Sequence, residues 1–247
     1  MTETPNYGFN RKPRFSANHL ADYLCATTAP ARTSVIRDAK FPRKPAVASY
    51  SQIKQPICQF LGGNTGDLSF FDVALRKLAE KAAREVDGYA RDEALRCEAA
   101  LKAFKDAFRR SRAKKYTFTA GPVDTFMKLE GVHVNVRLDA GVMETQPDGS
   151  AHSGGCVLFL ANSADSRRNI EARRRYVAAT VHWALESGQM PPAPRLCMSF
   201  DVFGKKMVKA TETPNQLRRN MTQSCAEVAL RWDKVEPPPG YDGPDWH

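Results

Sequence analysis

The feature that most constrains this chain is a change of hydrophobic period near its middle. From Asp72 to Arg112 apolar residues recur at Leu75, Leu78, Ala82, Val86, Tyr89, Leu101, Phe104 and Phe108. That three-and-four spacing predicts a long amphipathic helix, or a helical hairpin broken near Gly88. Past Lys115 the period drops to two. Tyr116, Phe118 and Ala120 alternate with Thr117 and Thr119, and Val132, Val134, Val136 and Leu138 alternate with His133, Asn135, Arg137 and Asp139. Such alternation is a strand with one apolar face and one polar face. After the turn sequence Gln146 to Ser150, the run Cys156 to Leu160 is almost wholly apolar, as the interior of a sheet requires.

Helical spacing returns from Asn169 to Glu186 through Ile170, Val177, Val181, Ala184 and Leu185. Leu196 to Phe203 reads as another strand. Gly204 turns into a short strand over Lys206 to Ala210, and Pro214 opens a closing helix through Leu217, Met221, Cys225, Val228 and Trp232. The expected fold is therefore α/β, with a central mixed sheet in the order αβββαβ flanked by helices.

Ahead of this core, residues 1–14 are polar and basic and read as a flexible arm. Residues 15–71 read as a helical, basic extension. Ser16 is the expected N-cap of a helix through Leu20, Tyr23 and Leu24, and the Thr27-Thr28-Ala29-Pro30 run is expected to end it. Pro42 and Pro45 argue against one continuous helix from Arg32 to Lys54, after which Tyr50, Ile53, Ile57, Phe60 and Leu61 resume helical spacing. The Gly62 to Gly66 cluster reads as a loop; it lacks the Gly-Lys-Ser/Thr ending of a phosphate-binding P-loop. The core is bounded as 72–235, and the Pro- and Gly-rich residues 236–247 read as an irregular tail.

Several function classes find no foothold. No run approaches the roughly 18–20 apolar residues that span a bilayer, and the first residues lack the apolar stretch of a signal peptide. The chain is expected to be cytoplasmic, without a membrane partner. Cys25, Cys58, Cys97, Cys156, Cys197 and Cys225 form no CxxC pair and read as reduced core residues. The histidines make no HExxH or HxH, and GxSxG and GxGxxG are absent.

Charge is the remaining signal. A formal net charge of +10 fits an anionic partner such as nucleic acid, or solubility alone. Two segments concentrate cations: Arg32, Arg37, Lys40, Arg43, Lys44 and Lys54 around the single acid Asp38, and Arg167, Arg168, Arg173, Arg174 and Arg175 at the start of a predicted helix. They are the predicted phosphate-binding residues. The row His133, Asn135, Arg137, Asp139 reads as an anion-binding strip or as the wet side of a half-exposed sheet.

In element order, and in the aspartate ending Leu138-Asp139, the chain resembles the PD-(D/E)XK nuclease superfamily over about Asp72 to Trp232. The resemblance implies a restriction-endonuclease-like core that acts on nucleic acid. It also implies Mg²⁺ held by an acid from the second strand and an acid from the third, with a lysine two residues beyond that acid beside the attacking water. Asp139 matches the first acid and is the implied metal ligand; read alone, an aspartate at the end of a strand is more often a turn or cap residue. The third strand, Gly155-Cys156-Val157-Leu158-Phe159-Leu160, has neither acid nor lysine, and Leu158 falls at about the lysine position. Glu130 with Lys128, or Asp201 with Lys205, are the candidate replacements, and Glu80, Glu85 or Glu98 the candidate accessory acids. Two functions follow: a nucleic-acid-binding protein on a nuclease-like core, Mg²⁺-dependent if active, or a non-catalytic adaptor using the same fold to hold a protein partner.

Overall fold

The computed structural model describes residues 6–44, 50–63, 66–85, 88–146, 148–160, 169–186, 188 and 192–246. Among them are seven α-helices and one mixed, open sheet of six strands. The strands are β1 (Arg14–Ser16), β2 (Thr117–Leu129), β3 (Val132–Thr145), β4 (Ala151–Phe159), β5 (Met198–Asp201) and β6 (Lys206–Lys209). The helices are α1 (Ala17–Cys25), α2 (Ala29–Lys40), α3 (Ser51–Gly63), α4 (Asp72–Arg84), α5 (Gly88–Arg110), α6 (Ile170–Leu185) and α7 (Asn215–Arg231). No described helix is long and apolar enough to cross a membrane.

The core runs α5, β2, β3, β4, α6, β5, the order the period changes predict. β2, β3 and β4 form an antiparallel meander, and α6 carries the chain over to β5, which lies parallel to β4. Crossovers of this kind need a helix because parallel neighbours cannot be joined by a tight turn. Local signals set the helix starts: the Ser16 hydroxyl accepts the His19 N–H at 3.1 Å to cap α1, and Thr28 accepts the Ala31 N–H at 3.3 Å to cap α2. The Thr27 to Pro30 run thus begins a second helix directly after the first, with Pro30 in the first turn, where its missing N–H costs nothing.

One face of the sheet is covered by α1, α6 and α7, where Val132, Val134, Val136 and Leu138 of β3 are buried. The other is covered, over part of its area, by α3 and α5. There Phe60, Phe71, Phe104 and Phe108 pack ring to ring, with centroids 4.8 to 6.1 Å apart for the contacts of Phe60. The described cysteines are all free; Cys25 is half-buried and the other five are buried.

The N-terminal segments are built into this core. β1 pairs in parallel with β3, through Arg14↔His133, Phe15↔Val134 and Ser16↔Asn135. Residues 6–13 are likewise tied down: Gly8 and Asn10 donate backbone N–H to Pro42 and Lys40, and Phe9 stacks on Phe41. The described part of the predicted arm therefore has a fixed place. The tail after Val235 is irregular, as expected, and Tyr241 returns to pack on Tyr7 and Phe41.

Candidate functional site

The site grows out of an irregularity in β3. In a regular strand, residues two apart share a face. Leu138 nevertheless packs in the α6 cluster with Val157, Val177 and Val181, while Ala140 packs in the opposite cluster with Ile57 and Phe104. The strand changes faces at Asp139, where the β2 register also slips between Ala120 and Val123. One edge of β3 changes neighbours at the same point. It pairs with β1 as far as Asn135 and with β4 only from Ala140, so residues 136–139 have no strand on that side among the described residues.

Asp139 fills this gap. The residue is 1 % exposed, and its carboxylate Oδ2 accepts the backbone N–H of Leu158 at 2.7 Å, just where β4 parts from β3. Oδ1 lies 2.9 Å from Lys54 Nζ of α3, an ion pair whose atoms are off the line of a hydrogen bond. The Lys54 end of the pair is 42 % exposed, so the cation faces solvent while the carboxylate does not. Cys58 and Cys156 are buried beside it. Burial, and then the Asp139 charge, push both thiols up, which keeps them protonated.

These groups do not make a hard-cation centre. Mg²⁺ requires about six oxygen ligands in near-octahedral array. Around Asp139 stand an ammonium, two protonated thiols and the Leu158 backbone N–H, and among the described residues no three His, Cys, Asp or Glu side chains come together to hold a metal. Glu130 does not join Asp139. It sits exposed in the β2–β3 turn at φ 47°, beside Gly131 at φ 81°, nine residues and so roughly 30 Å along β3 from Asp139. Asp201 is buried against Arg174, and Lys205 pairs with Asp106. None of the replacements considered for the third-strand acid and lysine reaches Asp139.

The predicted phosphate contacts are also redistributed. Arg167 and Arg168 lie outside the described residues. Arg173 pairs with Asp22, and Arg175 with Glu171 at 3.3 Å. Arg174 is buried, its guanidinium over the Phe159 ring and 3.6 Å from Asp201; burial lowers it to about 10. These three arginines make no common cationic face, because 100° steps around a helix send them to three different neighbours. In the earlier segment Arg32 pairs with Glu227 at 3.1 Å and Arg37 donates to the Glu236 carbonyl. Lys40 is buried and donates to the Trp232 and Val235 carbonyls, both at 2.9 Å, at the end of α7. Burial lowers its ammonium. Arg43 and Lys44 are exposed, on the segment that pairs with Asn6 and Tyr7.

What the structure does assemble is an open stretch of sheet. Beyond the area covered by α3 and α5, the faces of β1, β2 and β3 that carry Arg14, Lys128, Phe126, Asp124, His133, Asn135 and Arg137 are exposed or half-buried. A hollow of about 610 Å³ adjoins them, lined in part by Arg11, Lys12, Arg14, Lys128 and His133. Among the described residues no acid lies within ion-pair distance of Arg11, Lys12, Arg14, Lys128 or Arg137; Asp124, opposite Arg137 in the register, and Glu130 in the turn are the acids nearby in sequence and register. No protein-family model and no curated protein matches the chain.

Sequence reasoning caught His133, Asn135, Arg137 and Asp139 as a polar row but missed their partners. The signal was present in β2, where Asp124, Phe126 and Lys128 alternate with Thr125, Met127 and Leu129. It was obscured because Gly and Pro ordinarily interrupt a strand, whereas β2 runs on through Gly121 and Pro122.

Proposed function

We propose that this protein binds nucleic acid on the open face of its sheet, on a core that resembles the PD-(D/E)XK nucleases but does not gather their metal-binding set among its described residues. The observation that carries the reading is the group Arg11, Lys12, Arg14, Lys128 and Arg137, five cations around one surface with no acid in ion-pair distance among the described residues, against the paired or buried arginines of α6. Unpaired surface cations gain by releasing counterions from phosphates, and paired ones have already spent that attraction. The αβββαβ order and the place of Asp139 beside the parting of β3 and β4 support the nuclease resemblance. Lys54, Cys156 and Leu158 around it support binding without cleavage.

The test is anisotropy of labelled DNA and RNA over a salt series, with EDTA and then with Mg²⁺. Four or five neutralised phosphates give a log–log salt slope of about −4 on duplex DNA. The variant Lys12→Ala/Arg14→Ala/Lys128→Ala/Arg137→Ala is expected to bind far more weakly and to flatten that slope by about 3.6, with intact strands recovered under every condition. Unchanged affinity and slope in this variant would remove the open face from the reading, and Mg²⁺-dependent cleavage would overturn its non-catalytic part.

A further inference from the structure

The same open face carries an aromatic pair whose surroundings say which form of nucleic acid it takes. Phe126 of β2 is 55 % exposed and stacks on His133 of β3, with ring centroids 4.6 Å apart and planes 25° from parallel. A lone exposed phenylalanine on a protein surface means little. This one stands in a polar row, between Asp124 and Lys128 on its own strand and diagonally from His133 across the register, since Phe126 lies opposite Asn135 and Lys128 opposite His133. One face of the ring is held by the imidazole, and no other ring among the described residues stacks on it. The His133 side of the pair borders the hollow lined by Arg11, Lys12 and Arg14.

From this arrangement, and resting on the nucleic-acid reading above, we infer that the open face binds single strands, with an unpaired base stacking on the Phe126–His133 pair while Lys128, Arg14 and Arg137 take the flanking phosphates. The chemistry is that of single-strand platforms, where a sheet offers aromatic faces to bases and cations to the backbone, tolerant of sequence because every base has a π-face. The pre-stacked His133 holds the Phe126 ring in place before the base arrives, so little side-chain freedom is lost on binding. Duplex DNA cannot use the platform. Its bases are stacked on one another and would have to be flipped out to reach Phe126.

The experiment uses the full chain, labelled single strands of about 20 nucleotides as DNA and as RNA, and the matching duplex, with Phe126→Leu and Phe126→Trp as variants. The wild type is expected to prefer single strands. Phe126→Leu is expected to lose roughly tenfold in single-strand affinity, with duplex affinity and salt slope unchanged because no cation has been removed. Phe126→Trp restores binding. A 2-aminopurine in the strand is expected to be quenched by the wild type and not by Phe126→Leu. Tighter binding of RNA or of DNA identifies the natural strand, and either supports stacking when it depends on Phe126. Equal single-strand affinity for wild type and Phe126→Leu, or equal wild-type affinity for duplex and single strand, would overturn the inference while leaving the phosphate-binding reading intact. A wild type that binds neither, at any salt, sinks both.

Discussion

If Asp139 is a structural carboxylate, removing it must cost stability, and the geometry sets the size and the order of the effects. Asp139→Ala leaves the Leu158 N–H buried without an acceptor, a loss of about 1–3 kcal/mol. The freed Lys54 ammonium is already 42 % exposed and turns to water, so the broken ion pair adds no more than about 1 kcal/mol. The total, roughly 1–4 kcal/mol, lowers the melting temperature of a chain this size by about 2–16 °C. Lys54→Met acts on the other partner and leaves a carboxylate that is 2 % exposed facing no counter-ion, which costs about 3 kcal/mol or more. Lysine removal is therefore expected to hurt at least as much as aspartate removal, although the lysine is the more exposed residue. The double variant should lose less than the sum, because once both charges are gone neither is stranded. Urea unfolding followed by tryptophan fluorescence measures all three. A carboxylate poised for metal is held at a cost to stability, and its removal is neutral or stabilising. Asp139→Ala within about 0.5 kcal/mol of wild type would refute the structural assignment.

Two further outcomes follow from buried charges elsewhere. His19 and His182 are both lowered chiefly by burial, against the pull of Asp22 and Asp38 on the first and of Glu186 on the second, whose other neighbour Arg218 lowers it further. The unfolded chain then binds more protons than the folded one. Stability is complete above the ordinary imidazole value of about 6.5 and falls as pH drops below it; a His19→Gln/His182→Gln variant should flatten that slope in melts between about pH 7 and 5. Arg174→Ala is expected to cost about 3–5 kcal/mol by stranding the buried Asp201, and Arg175→Ala almost nothing, with neither altering the salt slope of DNA binding. A changed slope in either variant would return the α6 arginines to the interface.

What was legible in the sequence was whatever repeats. The alternation of β3, the apolar run of β4 and the three-and-four spacing of α5 and α6 each state a period and a buried face, and the order of the core follows from them. β1 was not legible: three residues are too few to show alternation, and Arg14 to Ser16 become a strand only because β3 offers an unpaired edge. The charges were legible as counts but not as sites. Arg173, Arg174 and Arg175 are adjacent in sequence, yet Asp22 of α1 and Asp201 of β5 meet the first two from other elements and only the fold brings those acids close; Glu171, four residues before Arg175 on the same helix, was the one partner within reach of helical spacing. Asp139 was found for its neighbours along the strand; its real partners, Lys54 and the Leu158 N–H, come from far along the chain in opposite directions.

Lys40 has a consequence for how the molecule comes into being. Its ammonium ends on the carbonyl of Trp232, a residue 192 positions later, and β1 waits for a partner that begins only at Val132. A chain emerging from the ribosome exposes Phe15, Leu20, Tyr23 and Ile36 long before Met221, Val228 and Trp232 exist to cover them. Residues 14–40 therefore have no complete docking surface during most of synthesis, and closing this part of the core is among the last events. Proteins whose early segments are sealed by late ones fold slowly for their size and lean on chaperones to keep the uncovered apolar surface from finding the wrong partner.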